Sequence, residues 1–128
     1  MRSNLPQLLT ASYGRWRPVD GLLVRTSLGR PRWFPNEGYD LPALRSLMPE
    51  GWMLRSDDWA IEYEAMLERR GPEPIAEALA ALAERHDTDV LVLGCFEGSP
   101  AECHRGVFAR WWQETTGQTV ADLSEMTR

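Results

Sequence analysis

The sequence predicts one α/β domain over residues 1–128, a three-layer sandwich with a mostly parallel sheet. Three observations carry this. The run Asp89-Val-Leu-Val-Leu-Gly-Cys95 is almost wholly apolar, as in a strand covered on both faces. Two segments of helical periodicity precede it, and a third follows it. Strands followed by helices, with a long helical connection before the central strand, imply an open α/β sandwich. A length of 128 residues suffices to bury one core.

Taken in order, Leu8 to Tyr13 reads as a short strand ended by Gly14, and Gly21 to Leu28 as a second, closed by Gly29 and Pro31. Arg30 to Asp40, with two prolines, a glycine and three aromatics, reads as a long ordered loop. Leu41 to Met48 predicts a short helix stopped by Pro49 and Gly51. A longer helix starts at a Ser56 or Asp57 cap, carries Trp59, Tyr63, Met66 and Leu67 on one face, and ends at Gly71. Pro72 opens the next helix, with the stripe Ile75, Leu79, Leu82, Ala83 and a structural His86 at its end. After the Asp89–Cys95 strand, Ser99-Pro-Ala-Glu102 has the form of a capping box for a helix with Val107, Phe108, Trp111 and Trp112 inside. Thr119 to Leu123 predicts a last short strand.

Composition narrows the function classes. A hydrophobic share of 43% and a charged share of 26% are those of a folded globular chain. No long apolar run predicts a membrane span, and the N-terminus lacks the apolar core of a signal peptide, so the expected home is the cytosol. There the two cysteines, Cys95 and Cys103, are expected as reduced thiols. The net charge of −5 argues against a general nucleic-acid binder. The charge is uneven, however: Arg15, Arg17, Arg25, Arg30 and Arg32 crowd the stretch between Tyr13 and Trp33. Such a local patch suits a discrete anionic, nucleotide-like ligand.

Ligands of open α/β sheets bind at the carboxyl ends of the strands. That rule points, with Ser12 and Arg25 alongside as candidate ligand-binding residues, to Tyr13 to Arg17, Thr26 to Arg32 and Cys95 to Arg105. Three chemistries fit the last cluster. Cys103 or Cys95 is a nucleophile with His104 or Glu97 carrying its proton. Or helix amides, Arg105 and one or more of Arg25, Arg30 and Arg32 hold a phosphate or carboxylate. Or Cys95, Cys103 and His104 hold zinc, the weakest of the three because adjacent Cys-His ligands strain the geometry and no C-x2-4-C spacing is present. No cofactor is called for.

The run Leu91-Val-Leu-Gly-Cys95-Phe-Glu97 through Cys103-His104-Arg105 and Gly106-Val-Phe-Ala-Arg-Trp-Trp resembles the signature of domain-of-unknown-function family 488. Thr10-Ala-Ser-Tyr13 and Val24-Arg25-Thr-Ser-Leu-Gly-Arg30-Pro31-Arg32 look like that family's early strand and arginine segment. The resemblance implies a compact α/β fold and a site of Cys95, Glu97, Cys103, His104 and Arg105, with Arg25 and Arg32 beside it. It implies no reaction. Many members carry an Asp-Val-Arg context where this chain has Leu22-Leu-Val-Arg25.

The leading expectation is a small anion- or nucleotide-binding α/β protein, with or without catalysis, in which Cys103 is nucleophile or polar contact, His104 acid/base or ligand donor, and Glu97 an orienting group. Arg25, Arg32 and Arg105 are then the anion clamp. The alternative is a non-catalytic module that recognises a protein or nucleic acid through Trp16, Trp33 and the arginine-rich loop. In a third reading the Cys-His-Arg cluster is a buried network that fixes the fold.

Overall fold

The computed structural model describes residues 5–31, 41–97 and 102–126. Four parallel strands form one sheet: β1 (Gln7–Ser12), β2 (Leu22–Arg25), β3 (Val90–Cys95) and β4 (Ala121–Asp122), in the order β2-β3-β1-β4. The apolar run before Cys95 is explained by this order, since β3 lies between β2 and β1 and is covered on both faces. Pairing runs from Gln7↔Val90 to Ser12↔Cys95 on one side, and from Leu22↔Leu91 to Arg25↔Gly94 on the other.

The period-two alternation of strands divides these residues between two cores. Leu8, Val24, Leu91 and Leu93 meet three helices, α1 (Trp59–Arg70), α2 (Pro72–Arg85) and α3 (His104–Thr116). The helices bring the predicted stripes, including Tyr63, Leu67, Leu79, Phe108 and Trp112. Leu9, Ala11, Leu23 and Val92 face the opposite way, toward Tyr13, Trp16, Leu41 and Leu123. Among the described residues this second face is therefore covered by loops and 3-10 turns, and α-helix covers only the first. No helix among the described residues is long and apolar enough to cross a membrane.

Two predicted elements differ. Leu41 to Met48 forms only a 3-10 turn at Arg45–Leu47. Upstream of it the chain lies beside β2, where Arg25 donates its N–H to Pro42 O at 2.7 Å and accepts from Leu44 N at 3.0 Å. Pro42 lacks an N–H and biases Leu41 toward extended backbone, so a β-bridge wins over a helix. The C-terminal helix begins at His104 with Cys103 as its N-cap in extended conformation. Of the expected capping box, Ser99, Pro100 and Ala101 lie outside the described residues, as do Arg32 and Trp33.

Gly94 is where two layers come closest. A Cβ built there would stand 2.7 Å from a ring carbon of Tyr13 and 2.9 Å from Leu23 Cδ1. The Gly94→Ala variant is expected to lose about 1–3 kcal/mol through overpacking. Equilibrium urea unfolding checks this, and an unchanged midpoint would show that Tyr13 is not held over β3.

Candidate functional site

The carboxyl ends of β1, β2 and β3 share one edge, and the start of α3 returns to it. Cys95 ends β3, and Cys103 caps α3. Their sulfurs are joined in a disulfide, which corrects the expectation of two reduced, separate thiols. Both cysteines are buried within the fold yet border a cavity of about 270 Å³.

His104 stands on the Cys103 side. Its Nε2 lies 2.9 Å from the Thr26 carbonyl oxygen and 3.1 Å from Thr26 Oγ1. A carbonyl only accepts, so the proton of the neutral ring sits on Nε2. The lone pair of Nδ1 is thereby left facing Cys103 Sγ at 3.6 Å. Thr26 Oγ1 donates in turn to Gly94 O at 2.9 Å. The ring also meets Tyr63 edge-on, with centroids 5.2 Å apart. Burial lowers the imidazole pKa to about 4; the Thr26 carbonyl bond opposes this and the charge of Arg105 adds to it. The ring is neutral at neutral pH.

Arg105 stands on the Cys95 side and points inward. Its Nε donates to Asp122 Oδ1 at 2.7 Å, and its Nη1 donates to Cys95 Sγ at 3.1 Å and to Glu97 O at 2.5 Å. Arg105 is 1% exposed and Asp122 4%. Asp122 Oδ1 also accepts from Thr10 Oγ1 at 2.7 Å, and Oδ2 from Ser124 Oγ at 2.5 Å. Burial alone would raise this carboxyl, but the bonds from Arg105, Ser124 and Thr10, with the charge of Arg105, outweigh it and hold the pKa below the usual range.

The other expected site residues are placed as follows. Tyr13 is buried, and its hydroxyl donates to Ser27 Oγ at 2.6 Å, because the Ser27 proton goes to Gly29 O. Burial, opposed by that bond, raises its pKa. Ser12 is half-buried opposite Cys95 and does not line the cavity. Arg25 donates through Nη1 to the carbonyls of Ser27 and Leu28 at 3.0 and 2.7 Å, fixing its own loop. Arg30 is exposed. Glu97 lines the cavity together with Glu102, and its carbonyl anchors Arg105. Trp16 is a buried loop anchor whose Nε1 donates to Gly21 O at 3.0 Å, so its ring face is not offered to a base.

The remaining wall is mostly apolar, from Leu28, Met53, Leu54, Trp59 and Phe96. None of Arg25, Arg30 and Arg105 is part of it. Sequence reasoning missed Thr26, Thr10 and Asp122. A carboxylate inside the apolar stretch Val120-Ala-Asp122-Leu was a signal that a buried cation would be needed.

The chain matches no protein-family model, no curated protein and no solved structure.

Replacing Asp122 by Asn removes one partner of a buried pair and should destabilise the fold by about 3–5 kcal/mol. The folded pKa of Asp122 is depressed, so its contribution is complete above the unfolded carboxyl pKa and is lost as pH falls through the folded value. Urea unfolding from neutral pH down to about pH 3 should show a steeper acid loss in the parent than in Asp122→Asn. Parallel curves would contradict the pair.

Proposed function

We propose that the protein is a cysteine-dependent enzyme whose working group is the Cys95–Cys103 pair, exchanging thiol and disulfide with a small ligand seated in the cavity. The observation that supports it is the environment of the two sulfurs. They meet on the cavity wall, with a neutral histidine acceptor at one and a buried guanidinium donating to the other.

The chemistry follows from that asymmetry. In the reduced pair the Cys103 thiol donates to His104 Nδ1, and as its sulfur attacks a disulfide of the ligand the proton passes by way of Nδ1 to the departing ligand sulfur, with no imidazolium accumulating. One ligand sulfur leaves as a thiol, and a mixed disulfide remains. Cys95 then attacks Cys103 Sγ, its proton passing to the second ligand sulfur as that sulfur leaves, and the Arg105 N–H stabilises the negative charge that develops on Cys95 Sγ during the attack. Two electrons pass from the protein to the ligand, and the product is the Cys95–Cys103 disulfide.

The cavity wall also favours a class of ligand. It offers apolar surface, two carboxylates and, among the described residues, no arginine. A neutral or cationic, partly apolar molecule fits this better than the nucleotide-like anion suggested by counting arginines. Arg32 lies outside the described residues, and Arg105 holds Cys95 in place.

Alkylation of the dithiothreitol-reduced protein by iodoacetamide, followed by peptide mass spectrometry, tests the reading. Cys103 should react first, and His104→Gln should slow it by about 100-fold. Equal rates at both cysteines, unchanged in His104→Gln, would overturn it.

A further inference from the structure

The geometry points to a second use of the same corner: in the reduced chain, Cys95, Cys103 and His104 form a binding site for a zinc-class divalent ion. This goes beyond the exchange chemistry and does not depend on it. The ligand atoms of the three residues all lie within 4.8 Å of one another.

The difficulty with adjacent Cys-His ligands is resolved by the turn that carries them. Cys103 is an extended N-cap at φ −134°, and His104 is the first helical residue, so their side chains converge. Nδ1 and Cys103 Sγ are 3.6 Å apart. A tetrahedral zinc ion with Zn–S of about 2.3 Å and Zn–N of about 2.1 Å requires about 3.6 Å between those two atoms.

The other side of the site agrees. The Cα atoms of Cys95 and Cys103 are 7.3 Å apart. Once reduction opens the bond, that span lets the two sulfurs separate to about 3.8 Å, the distance that tetrahedral zinc requires between two thiolates. The supporting bonds are also in place. Nε2–H donates to the Thr26 carbonyl, which turns Nδ1 toward the sulfurs, and Arg105 donates to Cys95 Sγ. Thiolate and imidazole donors select zinc over magnesium or calcium. The cavity beside the sulfurs, bordered by Glu97 and Glu102, gives a fourth ligand room to enter.

Loading is balanced simply. A dithiol reductant opens the Cys95–Cys103 bond and becomes a disulfide itself. The divalent ion then takes both sulfurs as thiolates, and two protons leave. A bound ion also silences exchange, because both sulfurs are ligated.

Cobalt is the probe. Reduced full-length protein, freed of dithiothreitol under argon, is titrated with Co2+ and then with Zn2+. One equivalent should give tetrahedral ligand-field bands with a thiolate-to-cobalt charge-transfer band, and zinc should abolish both. Cys95→Ser and Cys103→Ser should each weaken the charge-transfer band by about half, and His104→Ala should weaken binding by about 100-fold or more. Circular dichroism of each variant confirms its fold. As a check on the parent that needs no variant, one equivalent of Zn2+ should protect both cysteines from iodoacetamide.

A cobalt spectrum without charge transfer, or zinc that leaves alkylation unchanged, would overturn the site. Those results leave the exchange reading standing, since that reading is judged on the metal-free alkylation rates.

Discussion

The corner where strand ends meet helix start depends on the buried pair of Arg105 and Asp122. A guanidinium and a carboxylate removed from water destabilise a fold unless nearly every donor and acceptor is met. Here Asp122 accepts from Arg105, Thr10 and Ser124, and Arg105 donates also to Cys95 and the Glu97 carbonyl. One residue pair thus ties the start of α3 to β1, to β4 and to the end of β3. The short strand β4 owes its place to this link: only Ala121 and Asp122 pair with β1, and the Asp122 carboxylate is what α3 holds.

The same pair explains why the sulfurs are differently placed. Successive helical residues point about 100° apart around the axis. His104 therefore turns to the cavity and Tyr63, while Arg105 turns under the sheet edge. Each reaches the sulfur on its own side, so one cysteine has a proton acceptor and the other a fixed cation. The histidine is held neutral by burial, and the cation is permanent.

Much of the fold was legible because it rests on periodicity. β3, α1 and α2 are long enough for their apolar pattern to decide the element, and Gly71 and Pro72 mark the break between the helices. Leu41 to Met48 was misread because a helical count ignores the missing N–H of Pro42 and the open edge of β2. At the site, the sequence supplied Cys95, Cys103 and His104 but not the direction of its arginines. Charge counting placed Arg25 and Arg105 on a ligand; the structure gives Arg25 to its own loop carbonyls and Arg105 to Asp122, 17 residues downstream. No local pattern encodes such a partner, because tertiary packing decides which way a long side chain turns.

Two reduced cysteines this close, on a mainly apolar wall, set a problem in charge. A pair of adjacent thiolates is disfavoured by mutual repulsion and by poor solvation. Arg105 offsets part of one charge, but Asp122 already neutralises it. Three routes remove the excess: both sulfurs keep protons, they join each other, or they share a divalent cation. At Cys103 the first route leaves a thiol donating to the free Nδ1 of His104, because a ring lowered to about 4 by burial accepts that hydrogen bond without keeping the proton. The exchange chemistry and the metal site are then two answers to one constraint, and the redox state of the pair together with the supply of the ion decides between them.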